Sequence, residues 1–303
     1  MSFVQTDPRA KLFGPEGATT PGAFGSAEYA KFYETEPQVR SALESTWIAR
    51  GQNFVVSYSE TQPGALLERR EQPDEYFLLL PDPELRLEVT AGRETVTVPG
   101  WRIVVMPPGP STLRVVEGGR VVRILSDRAV DLAGAAVNAA SYAVAKPKVA
   151  PLEAWPEPPD GYRVRVYDLE VEPDPGRFGR IWRSTNLMVN FTEPRQGPRD
   201  VTRMSPHAHP DFEQGSLCLS GSFVHHIRWP WGTDMRHWRP DEHEICAGPS
   251  LAVIPPQSVH TSQQVSQGIN QLVDIFAPPR HDFSNQEGWV LNASEYPLPD
   301  GRG

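Results

Sequence analysis

Two stretches decide the fold class of this chain: Pro206-His207-Ala208-His209-Pro210-Asp211-Phe212-Glu213, and Pro255-Pro256-Gln257-Ser258-Val259-His260. On a strand, residues two apart point to the same face. His207 and His209 can therefore converge on one point, and Glu213, four positions on, keeps the same parity. His260 follows a Pro-Pro turn and supplies a fourth group from elsewhere in the chain. Imidazole and carboxylate together suit Fe, Mn, Ni, Co or Zn. All eight histidines (His207, His209, His225, His226, His237, His243, His260 and His281) follow residue 206. Chemistry that needs imidazole is confined to the second half.

Outward from these stretches the sequence reads as short strands. FVVSYSE, EYFLLL, LRLEV, ETVTV, WRIVVM and RVVRIL lie in the first half, and YRVRVYDLEV, GRIWRS, NLMVNFTE, GSLCLSG, SFVHHIRW, SLAVIP and NQLVDIF in the second. They are rich in β-branched and aromatic residues and are separated by turn residues. The chain has 32 Pro and 24 Gly, which favours strands joined by turns. The halves repeat one another. Gly100 precedes Pro107-Pro108 as Gly248 precedes Pro255-Pro256, and Asp74-Glu75-Tyr76-Phe77 corresponds to Asp211-Phe212-Glu213. The expected organisation is an arm over residues 1–52, a first barrel over 53–130, a linker over 131–162 and a second barrel over 163–303. The arm is expected to hold two short helices. Ser26 would cap the first, through SAEYAKFYE, and Thr35 with Gln38 would form the capping box of the second.

Composition narrows the function. The 303 residues carry a net charge of −9, with 39% hydrophobic and 22% charged residues. A duplex-binding protein needs clustered Lys and Arg, so nucleic acid is not expected as a partner. No run reaches the ~18–20 apolar residues that span a bilayer, and the start lacks the apolar core of a signal peptide. A soluble cytoplasmic protein is expected. Cys218 and Cys246 form no CxxC motif and read as buried thiols.

The two stretches resemble the motifs of the cupin family, G-x5-H-x-H-x3,4-E-x6-G and G-x5-P-x-G-x2-H-x3-N. The resemblance covers about residues 55–128 and 180–280. It implies an all-β chain of two jelly-roll barrels with a few short helices, and one divalent metal held by His207, His209, Glu213 and His260. This sequence departs from the motifs. Val201 stands where the first Gly belongs, Gly221 comes one residue late, and Gly248 one residue early. Gln257 and Gln264 replace the inner Gly and the Asn of the second motif. The first half carries Arg69, Glu71, Glu75 and Thr112 at the ligand places. Arg, Glu and Thr there do not make a Lewis-acid site, and this barrel is expected to be structural.

Gln214, Gln264 and Arg183 are the catalytic candidates: the glutamines as hydrogen-bond partners of substrate or metal-bound water, the arginine, with Arg203 and Arg228, for a substrate carboxylate. Of the adjacent His225 and His226 at most one can face the interior. Trp229, Trp231 and Trp238 can wall a pocket or an interface. Asp274 interrupts an apolar strand. The family resemblance implies a metal-dependent enzyme acting on a small organic molecule: a dioxygenase with Fe(II) favoured, or a Lewis-acid decarboxylase or isomerase with Mn, Ni, Co or Zn. The reading from another class is a non-catalytic binder of a small sugar or acid. Strand edges and aromatic hairpins make a homodimer the expected assembly.

Overall fold

Runs of β-branched and aromatic residues become strands where a sheet face can be buried. The computed structural model describes residues 23–299, so residues 1–22 of the expected arm lie outside the described residues. In the first half, seven strands form a sheet in the order Arg165–Asp168, Arg102–Met106, Tyr76–Leu80, Gly119–Ser126, Phe54–Thr61, Glu44–Arg50, Val39–Arg40. Facing it are Leu66–Arg69, Ser111–Glu117, Arg86–Ala91 and Glu94–Pro99. In the second half, the large sheet runs Glu28–Lys31, Ser250–Ile254, Gln214–Ser220, Ile269–Phe276, Met188–Phe191, Ile181–Arg183, with Arg195–Gln196 paired on its flank. The small sheet facing it is Glu242–Ala247, Ser222–Arg228, Val259–Gln264. Neighbouring strands pair antiparallel. The all-β class is as the sequence implies.

Three local expectations are corrected. The two helices of the arm are absent: Glu28–Lys31 is a strand, Phe32–Glu34 a single 3₁₀ turn, and Val39–Arg40 and Glu44–Arg50 are strands. Glu28–Lys31 completes the open edge of Ser250–Ile254, and Ala30 and Phe32 are buried in the central core. Tertiary pairing overrides a modest helix propensity. Gln38 does not cap a helix; its Oε1 accepts from the Ile48 amide. The boundary at residue 163 also shifts, because Arg165–Asp168 pairs with Arg102–Met106 of the first half. Each half thus lends the other an edge strand. The segment expected as a linker carries a helix, Val130–Ala135, and a 3₁₀ turn, Ala139–Tyr142.

The cores explain where a site can form. The two large sheets pack face to face through a shared apolar layer that includes Val56, Phe77, Ile124, Val189, Phe191, Leu217 and Val273. The space between the two sheets of the first half is filled by a second apolar core, with Leu78, Val89, Val104, Met106, Leu113 and Val121. Between the sheets of the second half the apolar residues fall into smaller groups, with Cys218, Phe223 and Leu272 in one, Ile227 and Ile254 in another, and Met188 and Phe276 in a third. Polar side chains, among them Gln214, Ser216, Asn190 and Asp274, share that interior with them. Phe191 is fully buried in the shared layer and meets Trp101 of the first half edge-on at 5.4 Å. Phe191→Ala is expected to cost about 3–5 kcal/mol in urea unfolding, and a loss below about 1 kcal/mol would show that the shared layer does not hold the halves together.

Candidate metal centre

The site begins with strand parity. In Gln214–Ser220, Leu217 and Leu219 face the shared layer, so Gln214, Ser216 and Cys218 face the polar interior. Asp274 lies opposite Ser216 on the next strand, and Asn190 opposite Asp274 on the one after. On the small sheet, Phe223, His225 and Ile227 are the buried residues of Ser222–Arg228, and the register sets Ile227 against His260 and His225 against Ser262. His225 is the inward member of its pair. His226 points outward, with Nδ1 2.8 Å from His243 Nδ1 and Nε2 donating to Gln263 Oε1.

His207, His209 and His260 are brought together. One ring nitrogen from each lies within 4.8 Å of the others. The backbones of His207 and His260 form an isolated antiparallel bridge, while the chain from Ala208 to Glu213 is irregular. Nδ1 of His207 donates to the Ser205 carbonyl at 2.9 Å and Nδ1 of His260 to the Ser258 carbonyl at 3.1 Å. In each neutral ring this leaves Nε2 as a lone pair. Burial lowers the His209 pKa to about 3, helped by the Arg280 charge, and that of His260 to about 4, helped by His207. Both rings are neutral near pH 7.

The fourth group is Gln214. Its Oε1 is 2.8 Å from His209 Nε2 and 3.4 Å from His260 Nε2. Its Nε2 donates to Ser216 Oγ and to Asp274 Oδ1, each at 3.1 Å. Asp274 is itself held by Asn190 Nδ2 at 3.1 Å, and burial raises its pKa to about 6. An ionised carboxylate has no proton to donate, so it takes the amide NH2 and leaves the amide oxygen turned toward the imidazoles. Lone pairs of His207, His260 and Gln214 thus point at one region without a donor among them, while His209 Nε2 carries a proton that its other nitrogen can take. A set of converging acceptors fits a cation, and these donors suit a divalent transition ion.

Glu213 does not join this set. Parity carries through a continuous strand, and between His209 and Gln214 there is none. Glu213 falls on the side of Leu217, where its carboxylate accepts from the Gln52 amide at 2.6 Å and from Tyr142 OH at 3.3 Å. Burial raises its pKa to about 7. The motif allows four residues between the second His and the acid, and with Gln214 in that place Gly221 falls in register. That spacing was the available signal. Gly221 closes the hairpin with φ +80, and a Cβ there would lie 2.4 Å from Asn270 Oδ1.

Gln264 lines the cavity beside the imidazoles, as do Asp274 and Ser262. The cavity is about 390 Å³, within the range of small-ligand sites, and Arg177, Arg195 and Arg199 stand in its wall. Arg183 does not reach it. Its guanidinium is buried against the Trp155 ring at 5.0 Å and donates to the Tyr296 carbonyl. Arg203 and Arg228 are exposed, Arg228 bonded to Asp241. Of the arginines expected at a substrate carboxylate, none lines this cavity; Arg177, Arg195 and Arg199 do. Trp231 and Trp238 stack on each other at 4.5 Å on an outer hairpin, and only Trp229 of the three is buried. In the first half, Arg69 is paired with Asp131 at 2.6 and 3.0 Å, and Glu75 accepts from Tyr296 OH and the Thr185 amide.

No family model matches this chain, and no curated protein matches it. Solved structures do. The chain is similar to oxalate decarboxylase of Lactobacillus farciminis in its formate complex, at 10% identity over 86% of this chain and 88% of that one, with a TM-score of 0.57. It is similar to Bacillus subtilis oxalate decarboxylase, in a structure concerned with its Mn(II) centres, at 14% identity over 86% and 79%, with a TM-score of 0.55. It is similar to AerE of Microcystis aeruginosa at 11% identity over 85% and 99%, with a TM-score of 0.51. At such identities the likeness shows the fold. The chain has the cupin jelly-roll fold. Among the described residues no helix is long and apolar enough to cross a membrane.

Glu213 provides a test with a sign. Its folded pKa, near 7, exceeds that of an unfolded Glu, so the stability it contributes is complete below about pH 4.5 and is lost as pH rises through 7. Glu213→Gln removes this titration. The melting temperature of the variant minus that of wild type should increase from pH 5 to pH 8, with divalent-ion affinity unchanged. A tenfold loss of that affinity would make Glu213 a ligand.

Proposed function

We propose that this chain is a divalent-metal-dependent cupin that acts on a small carboxylic acid by Lewis-acid chemistry, as a decarboxylase or isomerase. The observation that carries the reading is the neutral donor set, three imidazoles and the Gln214 amide, of which His207, His260 and Gln214 line a small cavity walled by Arg177, Arg195 and Arg199. When bound there, a divalent ion would supply a Lewis acid whose charge no ligand carboxylate offsets, so an anionic substrate would be favoured.

The chain's own residues supply the rest. The three arginines attract an acid from solvent and match its carboxylate oxygens. Asp274, with Ser216, keeps the Gln214 oxygen turned to the imidazoles. Ser205 and Ser258 fix the tautomers of His207 and His260. Phe178 and Phe223 supply the apolar part of the cavity wall. Gln264 offers both a donor and an acceptor at the same wall.

The expected dioxygenase activity and the preference for Fe(II) gain no support from the structural neighbours, two of which are named as oxalate decarboxylases, one of them for its Mn(II) centres. The polar, arginine-walled cavity also suits a small acid better than an aromatic ring. The test is a panel of small acids (oxalate, malonate and 2-oxo acids) given to Mn(II)-loaded protein, with CO2 release, isomerised product and O2 uptake measured together. Metal-dependent turnover of an acid without O2 consumption is the expected result. Oxygen uptake matched to substrate loss would restore the dioxygenase reading, and tight binding without turnover would make the chain a binder.

A further inference from the structure

We propose that Ser262 is a carboxylate-recognising hydroxyl of this cavity and that His225, behind it, is a positioning residue that fixes the direction in which that hydroxyl donates. The proposal rests on the reading of the site as one for a small acid.

Ser262 shares the inner face of Val259–Gln264 with His260 and Gln264, and all three line the cavity. His225 stands directly across from Ser262 on the adjacent strand. It is 1% exposed, with its Nδ1 2.9 Å from Ser262 Oγ and its Nε2 without a partner among the described residues. On the opposite side, the Ser262 carbonyl accepts from Arg199 Nη1 at 3.2 Å. The serine is therefore held through both its backbone and its side chain, and a buried imidazole is committed to the side-chain contact.

The orphan nitrogen selects the tautomer. If Ser262 donated to Nδ1, His225 would bury an unpaired N–H at Nε2. If Nδ1–H donates to Oγ, the orphan at Nε2 is only a lone pair. Buried unpaired N–H groups are the rarer and costlier defect. Burial lowers the His225 pKa to about 4, so the ring carries a single proton near pH 7. With Nδ1–H as donor, Ser262 Oγ accepts from His225 and its own proton is free to point into the cavity. A hydroxyl fixed as a donor, beside three arginines and the imidazoles, favours an anionic oxygen over a protonated one. An Oγ–H···O⁻ contact is charge-assisted.

The experiment has two arms. In the first, ¹⁵N-histidine-labelled protein is compared with its His225→Gln variant to assign the His225 signals. The expected result is a protonated Nδ1 and a bare Nε2; a protonated Nε2 on His225 overturns the proposal. In the second, oxalate and malonate are titrated calorimetrically into Mn(II)-loaded wild type, Ser262→Ala, Ser262→Thr and His225→Gln. Ser262→Ala should bind the acids about tenfold more weakly, with Mn(II) affinity unchanged. Ser262→Thr should recover most of the loss, and His225→Gln should fall between. Equal acid affinity in wild type and Ser262→Ala sinks this proposal alone. Failure of wild type to bind either acid sinks the small-acid reading and this proposal with it.

Discussion

Everything in the second half depends on one packing constraint: its large sheet is buried against the large sheet of the first half. That contact uses the odd-numbered side chains of Gln214–Ser220 and Ile269–Phe276, among them Leu217, Leu219, Val273 and Ile275. A strand has a period of two, so the even-numbered side chains, Gln214, Ser216 and Asp274, are turned to the other face. A shift of one residue would exchange the two sets. The apolar layer therefore selects which polar residues meet the imidazoles, and it places Glu213 on the side of Gln52 and Tyr142. In the first half the same constraint turns Leu78, Val104, Met106 and Val121 inward, and that space is a packed core with no room for chemistry.

The chemistry follows from what the polar face presents. A buried carboxylate in contact with the imidazoles would offset part of an ion's charge. Here the carboxylate is one step removed: Asp274 holds the Gln214 amide, and the amide oxygen faces the imidazoles. Arg280, stacked 3.5 Å over Phe283 and paired with Asp282, adds positive charge behind His209 without entering the cavity. Neutral donors and the arginines in the wall favour a negative ligand, and they act against the carboxylates of Asp274 and Glu193 that line the same cavity. Its small size limits how large that ligand can be.

Much of this was readable from the residues alone. The all-β texture, the repeat and the convergence of His207, His209 and His260 each rest on short-range signals: strand composition, spacing and a Pro-Pro turn. The failures share one cause. The parity argument for Glu213 was carried across Pro210, Asp211 and Phe212, where the chain leaves the extended conformation and parity has no meaning. The arm around Tyr29 has fair helix propensity, and only the open edge of Ser250–Ile254, distant in sequence, makes it a strand. Arg183 follows Ile181 and Trp182 on a buried strand and is carried into the core, whereas Arg195 and Arg199 each follow a proline and stand at the cavity wall. The late position of Gly221 was a local sign of the one-residue correction, because a hairpin Gly with positive φ fixes register.

The central claim is that a neutral set of His207, His209, His260 and Gln214 forms the cation site while Glu213 stays with Gln52 and Tyr142. Anomalous diffraction at the manganese edge, from crystals grown with Mn(II), tests it most directly. The account predicts one anomalous peak bounded by ring nitrogens of the three histidines and by Gln214 Oε1, with Glu213 still bonded to the Gln52 amide. A peak coordinated by the Glu213 carboxylate, or an ion held elsewhere with the three imidazoles uncoordinated, would contradict it.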